Sequence, residues 1–354
     1  MSSVKNCLDL TMLKKAQRIL IFNVNWLGDV LFSTAVIRNL RYNFPSAYIC
    51  CAVPSRCYLV LKGNPYLDEV IIFDERQHHK RFRDKLSFIK QLKKRHFDVV
   101  FLLHRSMTRA LICWLAAIPR RIGYTTKKRW FLLTQRLKPP ALDSLHRIDY
   151  YLNILSGVGL RVEDRFLDFF VSDEDERFVD EFLSQKVKSK AGPWIGLNPG
   201  GNWALKRWSK EYWARLADNL IIELKAEVFF TGGPEDIYLV KEITQAMLNR
   251  PLVVTGIFNL KQFGALCKRL SLFVSADSGP LHIANAVGTK NILALFGPTD
   301  PAITGPYPTK NVLILQNTSG CKIPCYQLGC LDNRCMKAIT PQWVMDKIRG
   351  LING

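Results

Sequence analysis

The chain has 354 residues, 48% hydrophobic and 23% charged, which is more than one ordinary core needs and excludes disordered and fibrous classes. No apolar run is long enough to span a bilayer, and residues 1–18 carry scattered charges without a signal-peptide core, so a cytoplasmic protein is expected. The net charge of +20 is lopsided: residues 1–150 hold 27 Lys+Arg against 10 Asp+Glu, and the rest hold 23 against 20. An excess confined to one half points to an anionic partner of that half, a polyanion or a membrane surface.

From the N-terminus, 18–24 (RILIFNV) is a short apolar run suited to a buried parallel strand. Residues 28–42 then carry Val30, Leu31, Ala35, Val36 and Leu40 at helical spacing. Further strands are predicted at 47–53, 70–73, 98–103 and 121–124, with helices at 57–61, 83–94 and 108–117 between them. Pro139 and Pro140 interrupt the alternation, 147–156 reads as a connecting helix, and 173–185 as another helix. A second alternation opens at the strand 194–197 and runs through 210–224, 227–230, 236–248, 252–254, 260–268, 272–274, 281–287, 291–295 and 312–315. It closes in a helix that Thr340 caps and Pro341 enters in the first turn. Strand–helix alternation of this kind predicts doubly wound parallel sheets. Two domains are expected, 1–175 and 176–340, with a linker near 170–190 and a C-terminal helix, 341–354, packed back on the N-terminal domain.

Polar, glycine-containing turns follow several of these strands. Residues 275–286 (SADSGPLHIANA) join a strand to a helix rich in small residues. Such a junction gathers backbone N–H groups and the helix dipole around one point at the C-terminal edge of a sheet, which forms an anion site. Ser278 suits the cap, Gly279 lets a phosphate approach the backbone, and Pro280 fits the first turn, whereas Asp277 organises the turn or bonds a sugar hydroxyl. The alternative is an ordinary capped helix. A second loop, 198–208 (NPGGNWALKRW), pairs Gly200 and Gly201 with Lys206, a cation suited to the growing charge of a diphosphate leaving group. A third turn, Thr231-Gly232-Gly233-Pro234-Glu235, offers Glu235 or Asp236 to ribose hydroxyls, or simply to the helix dipole. Together these loops suit the diphosphate of a nucleotide-activated sugar. In the N-terminal half, residues 25–29 (NWLGD) lie between the first strand and first helix, where Asp29 either takes a proton from an attacking hydroxyl or caps the helix.

Residues 25–29, 198–208, 275–286 and 295–300 (LFGPTD), in this order and spacing, resemble the lipopolysaccharide heptosyltransferase family (glycosyltransferase family 9) over about residues 18–350. The resemblance implies a GT-B fold, α/β, with two Rossmann-like doubly wound domains facing a cleft. It implies inverting transfer of heptose from ADP-heptose to the inner core of lipopolysaccharide, with no cofactor or metal required. On this footing Asp29 beside Gly28 is the general base, and Asn25, Trp26 and Gly28 stand on the acceptor side. Lys206 is on the donor diphosphate with Gly200, Gly201 and Asn202 beside it, and Gly232, Glu235, Asp277, Ser278, Gly279, Pro280 and His282 complete the donor loops. The Asn25-Trp26 pair resembles members that add the second heptose. The basic half then meets an anionic lipopolysaccharide-core acceptor at the cytoplasmic face of the inner membrane, where residues 76–95, with nine Lys/Arg, and 127–133 (KKRWFLL) suit a lipid interface.

Cys321, Cys325, Cys330 and Cys335 fall in one loop, where they ligate a structural zinc, pair as disulfides, or stay thiols without part in the chemistry. Two other readings remain: a GT-B transferase or epimerase using another nucleotide-sugar, and a basic module binding anionic surfaces or nucleic acid. The latter gives the phosphate-type loops of the nearly neutral half no purpose, so no nucleic-acid partner is expected.

Overall fold

The structure, a computed structural model, describes residues 10–75, 78–141, 143–187, 192–327 and 329–353. The chain divides into two compact units, Met1–Asp168 and Phe169–Gly354. In the first, β1 (Arg18–Phe22), β2 (Tyr48–Val53), β3 (Glu69–Ile72), β4 (Val99–Leu102), β5 (Arg120–Tyr124) and β6 (Gln135–Leu137) form one parallel sheet in the order β3-β2-β1-β4-β5-β6. The central strands are buried nearly end to end, as uninterrupted runs such as VVFL require when both sheet faces are covered. Strand β6 is absent from the sequence expectation because QRL carries no apolar pattern. It is an edge strand fixed by its register against β5, Ile122 opposite Gln135.

The single helix expected over 28–42 is two, α1 (Leu27–Phe32) and α2 (Thr34–Asn43). At the joint, Ser33 Oγ donates to the Val30 carbonyl (2.6 Å), Thr34 Oγ1 donates to that of Leu31 (2.7 Å), and Asn23 Nδ2 grips Ser33 Oγ (2.8 Å). Hydroxyls bonded back to helix carbonyls weaken and bend the ladder, an effect that apolar spacing does not reveal. The unit continues with α3 (Phe82–Lys94), α4 (Met107–Leu115) and α5 (Arg147–Ser156).

In the second unit β7 (Trp194–Asn198), β8 (Glu227–Phe230), β9 (Leu252–Val253), β10 (Leu272–Ala276), β11 (Ile292–Phe296) and β12 (Val312–Gln316) are all parallel, in the order β12-β11-β10-β7-β8-β9. Its helices include α6 (Asp173–Lys186), α7 (Lys210–Leu224), α8 (Ile237–Gln245), α9 (Leu260–Arg269), α10 (Gly279–Ala286) and α11 (Pro341–Asn353). The helix expected over 173–185 is present: Asp173–Lys186 is N-capped and packed on α9, with Ser172 Oγ accepting from Asp175 N–H and Arg269 paired to Asp180 at 2.6 Å, so this part of the linker placed near 170–190 is regular structure. Helix α11 is capped by Thr340 as expected, and its Val344, Met345 and Ile348 lie in the core of the second unit against α7. Three fully buried apolar residues on one helix face are already committed there.

The units meet in sequence at Asp168, seven residues before the expected boundary. On the first side the buried Arg38 of α2 binds Asp164 (Nη1–Oδ1 2.9 Å) and holds both carboxylate oxygens of Asp168. Removing one partner of such a buried cluster strands the other charges, so Arg38→Ala is expected to destabilise the first unit by about 3 kcal/mol in urea unfolding. Arg38→Lys should recover less than half of this, since an ammonium lacks the fork that serves two carboxylates. Full recovery by lysine would show that charge alone, not geometry, holds the segment.

Candidate active site

In each sheet the strand order reverses beside one strand, between β1 and β4 in the first unit and between β7 and β10 in the second. Loops leaving neighbouring strands diverge at such a point and open a crevice at their C-terminal ends. The motif loops 23–29, 199–208 and 277–282 all leave these strands.

In the second unit Ser275 stands opposite Asn198 in the ladder, which brings the loop carrying Lys206 beside the turn carrying Asp277. Lys206 Nζ lies 2.6 Å from Asp277 Oδ2, Thr304 Oγ1 donates to the same oxygen (3.2 Å), and His282 Nε2 is 3.8 Å from Oδ1. The Asp277 side chain is only 5% exposed. Burial alone would raise its carboxyl, but bonding to His282 and the charge of Lys206 outweigh it and hold the carboxyl well below the ordinary aspartate range. The expectation that Asp277 organises this turn therefore has a concrete form: it ties Lys206, α10 and the short helix Pro301–Thr304 together. Asp300 caps that short helix, accepting from Ala302 N–H at 2.8 Å, which gives the LFGPTD segment its part in aiming Thr304. Thr304 was not among the expected site residues, because a threonine four residues past a motif carries no signal of its own.

Ser278 occupies the capping position of α10 but, contrary to expectation, makes no side-chain cap; its hydroxyl lies 3.0 Å from Ser275 Oγ. Gly279 and Pro280 open the helix as anticipated, and His282 is buried. In the loop after β7, Arg207 Nε donates to the Gly201 carbonyl (2.8 Å), Lys206 Nζ sits 5.7 Å from the centre of the Trp203 ring, and Asn202 is exposed. A Cβ on Gly200 would fall 2.3 Å from Asp236 Oδ2, so only glycine allows this approach, whereas Gly201 faces open space. Asp236 is buried under the third turn and accepts from Gly233 N–H (3.1 Å), with burial pushing its carboxyl above the ordinary range. Of the two acids considered for a hydroxyl there, Asp236 serves the turn beside Gly232, and Glu235 is the exposed one.

In the first unit Asp29 lies in the first turn of α1, not at its cap, and Tyr151 of α5 donates to Asp29 Oδ1 at 2.9 Å. Burial, then the Asp29 carboxylate, push the Tyr151 phenol far above its ordinary value, so it remains a donor. The buried Arg109 of α4 donates to Asn23 O and Asn25 Oδ1 and faces Glu75 at 3.2 Å, while Arg56 Nη2 donates to Asn25 O (2.8 Å) and stacks 4.7 Å from the half-exposed Trp26. His104, after β4, lies 3.4 Å from Asn25 Nδ2; burial, with Arg109, Arg129 and Arg105, lowers its imidazole to about 4 and keeps it neutral. Tyr151 and Arg109 sit in segments whose pattern reads only as helix, and His104 lies just past a strand in a turn with no motif, so none of the three carries a signal of its own. Gly28 stands in the first turn of α1 beside Asp29.

The two basic stretches differ. Along α3, Arg83, Lys90, Lys93 and Lys94 are exposed and Arg95 binds Glu69, while Arg76 lies outside the described residues, as do residues 1–9. In 127–133, Lys127, Lys128, Trp130 and Phe131 are exposed, but Arg129, Leu132 and Leu133 are buried and do not belong to a surface. Arg129 instead donates to the carbonyls of Tyr124 (Nε, 2.9 Å) and His104 (Nη1, 2.6 Å). Cys321, Cys325, Cys330 and Cys335 are free thiols, and among the described residues no group of three or more His, Cys, Asp or Glu is arranged to hold a metal ion.

Two doubly wound parallel-sheet units of this kind define the GT-B class of glycosyltransferase architecture. Residues 85–332 match the model of glycosyltransferase family 9 (heptosyltransferase), and the chain belongs to that family. The structure of a family 9 glycosyl transferase from Veillonella parvula DSM 2008 is similar with a TM-score of 0.87 and 26% identity, covering 95% of this chain and 97% of that one. Escherichia coli ADP-heptose LPS heptosyltransferase II gives 0.78 and 25%, covering 95% and 98%. Lipooligosaccharide heptosyltransferase 2 of Campylobacter jejuni is 25% identical over 340 residues, 94% of this chain and 99% of that protein.

The Asp277 cluster makes a prediction about acid stability. A carboxyl depressed in the folded state contributes stability that is fully present above its unfolded value and lost as the pH falls towards the folded one. Asp277→Asn should cost the second unit about 2 kcal/mol at neutral pH and flatten its stability profile between roughly pH 5 and pH 2. Denaturant midpoints measured across that range check it, and parallel profiles for the two proteins would dismiss the cluster as a stabilising unit.

Proposed function

We propose that this glycosyltransferase moves a heptose from ADP-heptose to the inner core of lipopolysaccharide, inverting the anomeric carbon and requiring no metal. The observation that carries the reading is the Lys206–Asp277 pair spanning the reversal point of the second sheet, at the place where the family resemblance puts the donor diphosphate. An ammonium has three N–H donors. With one on Asp277, Lys206 keeps others for the phosphate oxygens that gain charge as the bond to the sugar breaks. Gly201, which faces open space, lets the phosphates come close to the backbone.

Asp29 takes the proton of the acceptor hydroxyl as its oxygen attacks the anomeric carbon. The carbon–oxygen bond to the diphosphate breaks, the electron pair leaves with ADP, and the proton passes later to water. Tyr151 fixes the rotation of the carboxylate. Asn25, Trp26 and Gly28 stand by the acceptor, with Arg109 and Arg56 bonded to Asn25 and Arg56 stacked on Trp26. The names of the full-length relatives, heptosyltransferases of lipopolysaccharide and lipooligosaccharide, support heptose as the group moved.

No described helix is long and apolar enough to cross a membrane. The basic first half supports a peripheral place on the cytoplasmic face of the inner membrane, facing an anionic acceptor. Asp29→Asn should lower transfer about a thousandfold while ADP-heptose affinity stays within about twofold; loss of binding as well would remove Asp29 from the role of base. Tyr151→Phe should keep the fold and lower kcat about tenfold with KM little changed, because the carboxylate loses the donor that fixes its rotation; an unchanged kcat would remove Tyr151 from a positioning role. In a thermal-shift panel, ADP and ADP-heptose should stabilise the protein selectively. A preference for uridine nucleotides would give the place to a GT-B enzyme using another nucleotide-sugar.

A further inference from the structure

Helix α4 is half spent on the core. Ala110, Ile112 and Cys113 are buried with Arg109, but Met107, Leu111, Trp114 and Leu115 all remain on the solvent side, 45, 36, 51 and 43% exposed. Their spacing of four, three and one residues puts them on one side of the helix. The short helix Trp130–Leu132 packs beside α4 and adds Trp130 and Phe131, 50 and 59% exposed, with the Arg136 guanidinium 4.8 Å from the Trp130 ring. Six large apolar side chains thus form one uncovered patch. The stretch of chain that carries it is equally one-sided: residues 99–142 contain nine Lys or Arg and no Asp or Glu. Arg109 and Arg129 are buried, which leaves seven basic residues in the same stretch, Lys127, Lys128 and Arg136 exposed among them.

We infer that this face of the first unit, centred on Trp114, Trp130 and Phe131, docks on an anionic lipid bilayer, with the apolar side chains entering the headgroup boundary and the lysines and arginines meeting lipid phosphates. Aromatic rings of mixed character and basic residues above an apolar stripe are what such an interface accommodates. The absence of acids in the whole stretch removes the like-charge repulsion that an anionic surface would otherwise meet. A second copy of the chain is a poorer occupant, since a two-fold contact would press the same basic rim against itself. The inference rests on the proposed peripheral location and specifies which surface supplies it.

The test is flotation of the full-length protein with vesicles of phosphatidylcholine containing phosphatidylglycerol, and with phosphatidylcholine alone, without donor or acceptor. Binding should need the anionic lipid and fall with salt. Trp114→Ser with Phe131→Ser should weaken it at least about tenfold, and Lys127→Gln with Lys128→Gln about fivefold per residue. Both variants should keep the wild-type melting curve and wild-type transfer to a delipidated, soluble core acceptor. Should the aromatic variant melt early, the lysine variant decides alone. Equal binding to neutral vesicles, unchanged binding of well-folded variants, or a dimer in sedimentation that the aromatic variant dissociates would each overturn the assignment. Vesicle binding is read apart from chemistry, so failure to use ADP-heptose would refute the proposed activity and leave this result standing.

Discussion

The second unit depends on one carboxylate kept charged where water hardly reaches. Asp277 stays ionised under burial because Lys206, His282 and Thr304 converge on it, and each comes from a different segment. An isolated ion would cost several kcal/mol in such a place, so the partners and the turn are mutually required. The strand order explains why they meet: neighbouring strands β7 and β10 send their chains in opposite directions, and the ladder sets Asn198 opposite Ser275. The loop cation Lys206 is therefore held in place by the protein itself.

The first unit shows the same logic with opposite polarity. There the fixed group is a carboxylate, Asp29, steadied by a neutral phenol, while the buried cation Arg109 shapes the loop ahead of it through Asn23 and Asn25. The guanidinium is the commoner choice for a buried cation with several acceptors, because its fork serves carbonyls and amides together. Arg129 does likewise for the carbonyls of Tyr124 and His104. Part of the large positive charge of this half is consequently structural and never meets a partner.

Much of the architecture was legible because it rests on local pattern. Apolar runs such as VVFL and LFV, short and β-branched between helical segments, read as interior parallel strands, and the helices 147–156 and 210–224 fall where the alternation puts them. Strand β6 and the joint at Ser33 were not legible, since one depends on a neighbour's register and the other on hydroxyls that bond backwards. At the site, Asp29, Lys206 and Asp277 announce themselves by lying in polar turns after strands. Tyr151 and Thr304 come from distant positions with ordinary local sequence, and only the packing of helices reveals them. Ser278 illustrates the opposite error: a residue type suited to a cap, in a capping position, whose hydroxyl is occupied elsewhere.

The way the chain passes from one unit to the next has a mechanical consequence. Asp168 is clamped by Arg38 on one side; immediately beyond, Phe169 is buried against Gly264, where a Cβ would come within 2.7 Å of the ring, and Lys261 Nζ donates to the Phe170 carbonyl at 2.5 Å. There is no slack tether between these anchors. Each residue spans at most about 3.6 Å of extended chain, so deleting even one here would pull on the Arg38 clamp and the Phe169 seat at once, and the crossing tolerates no shortening.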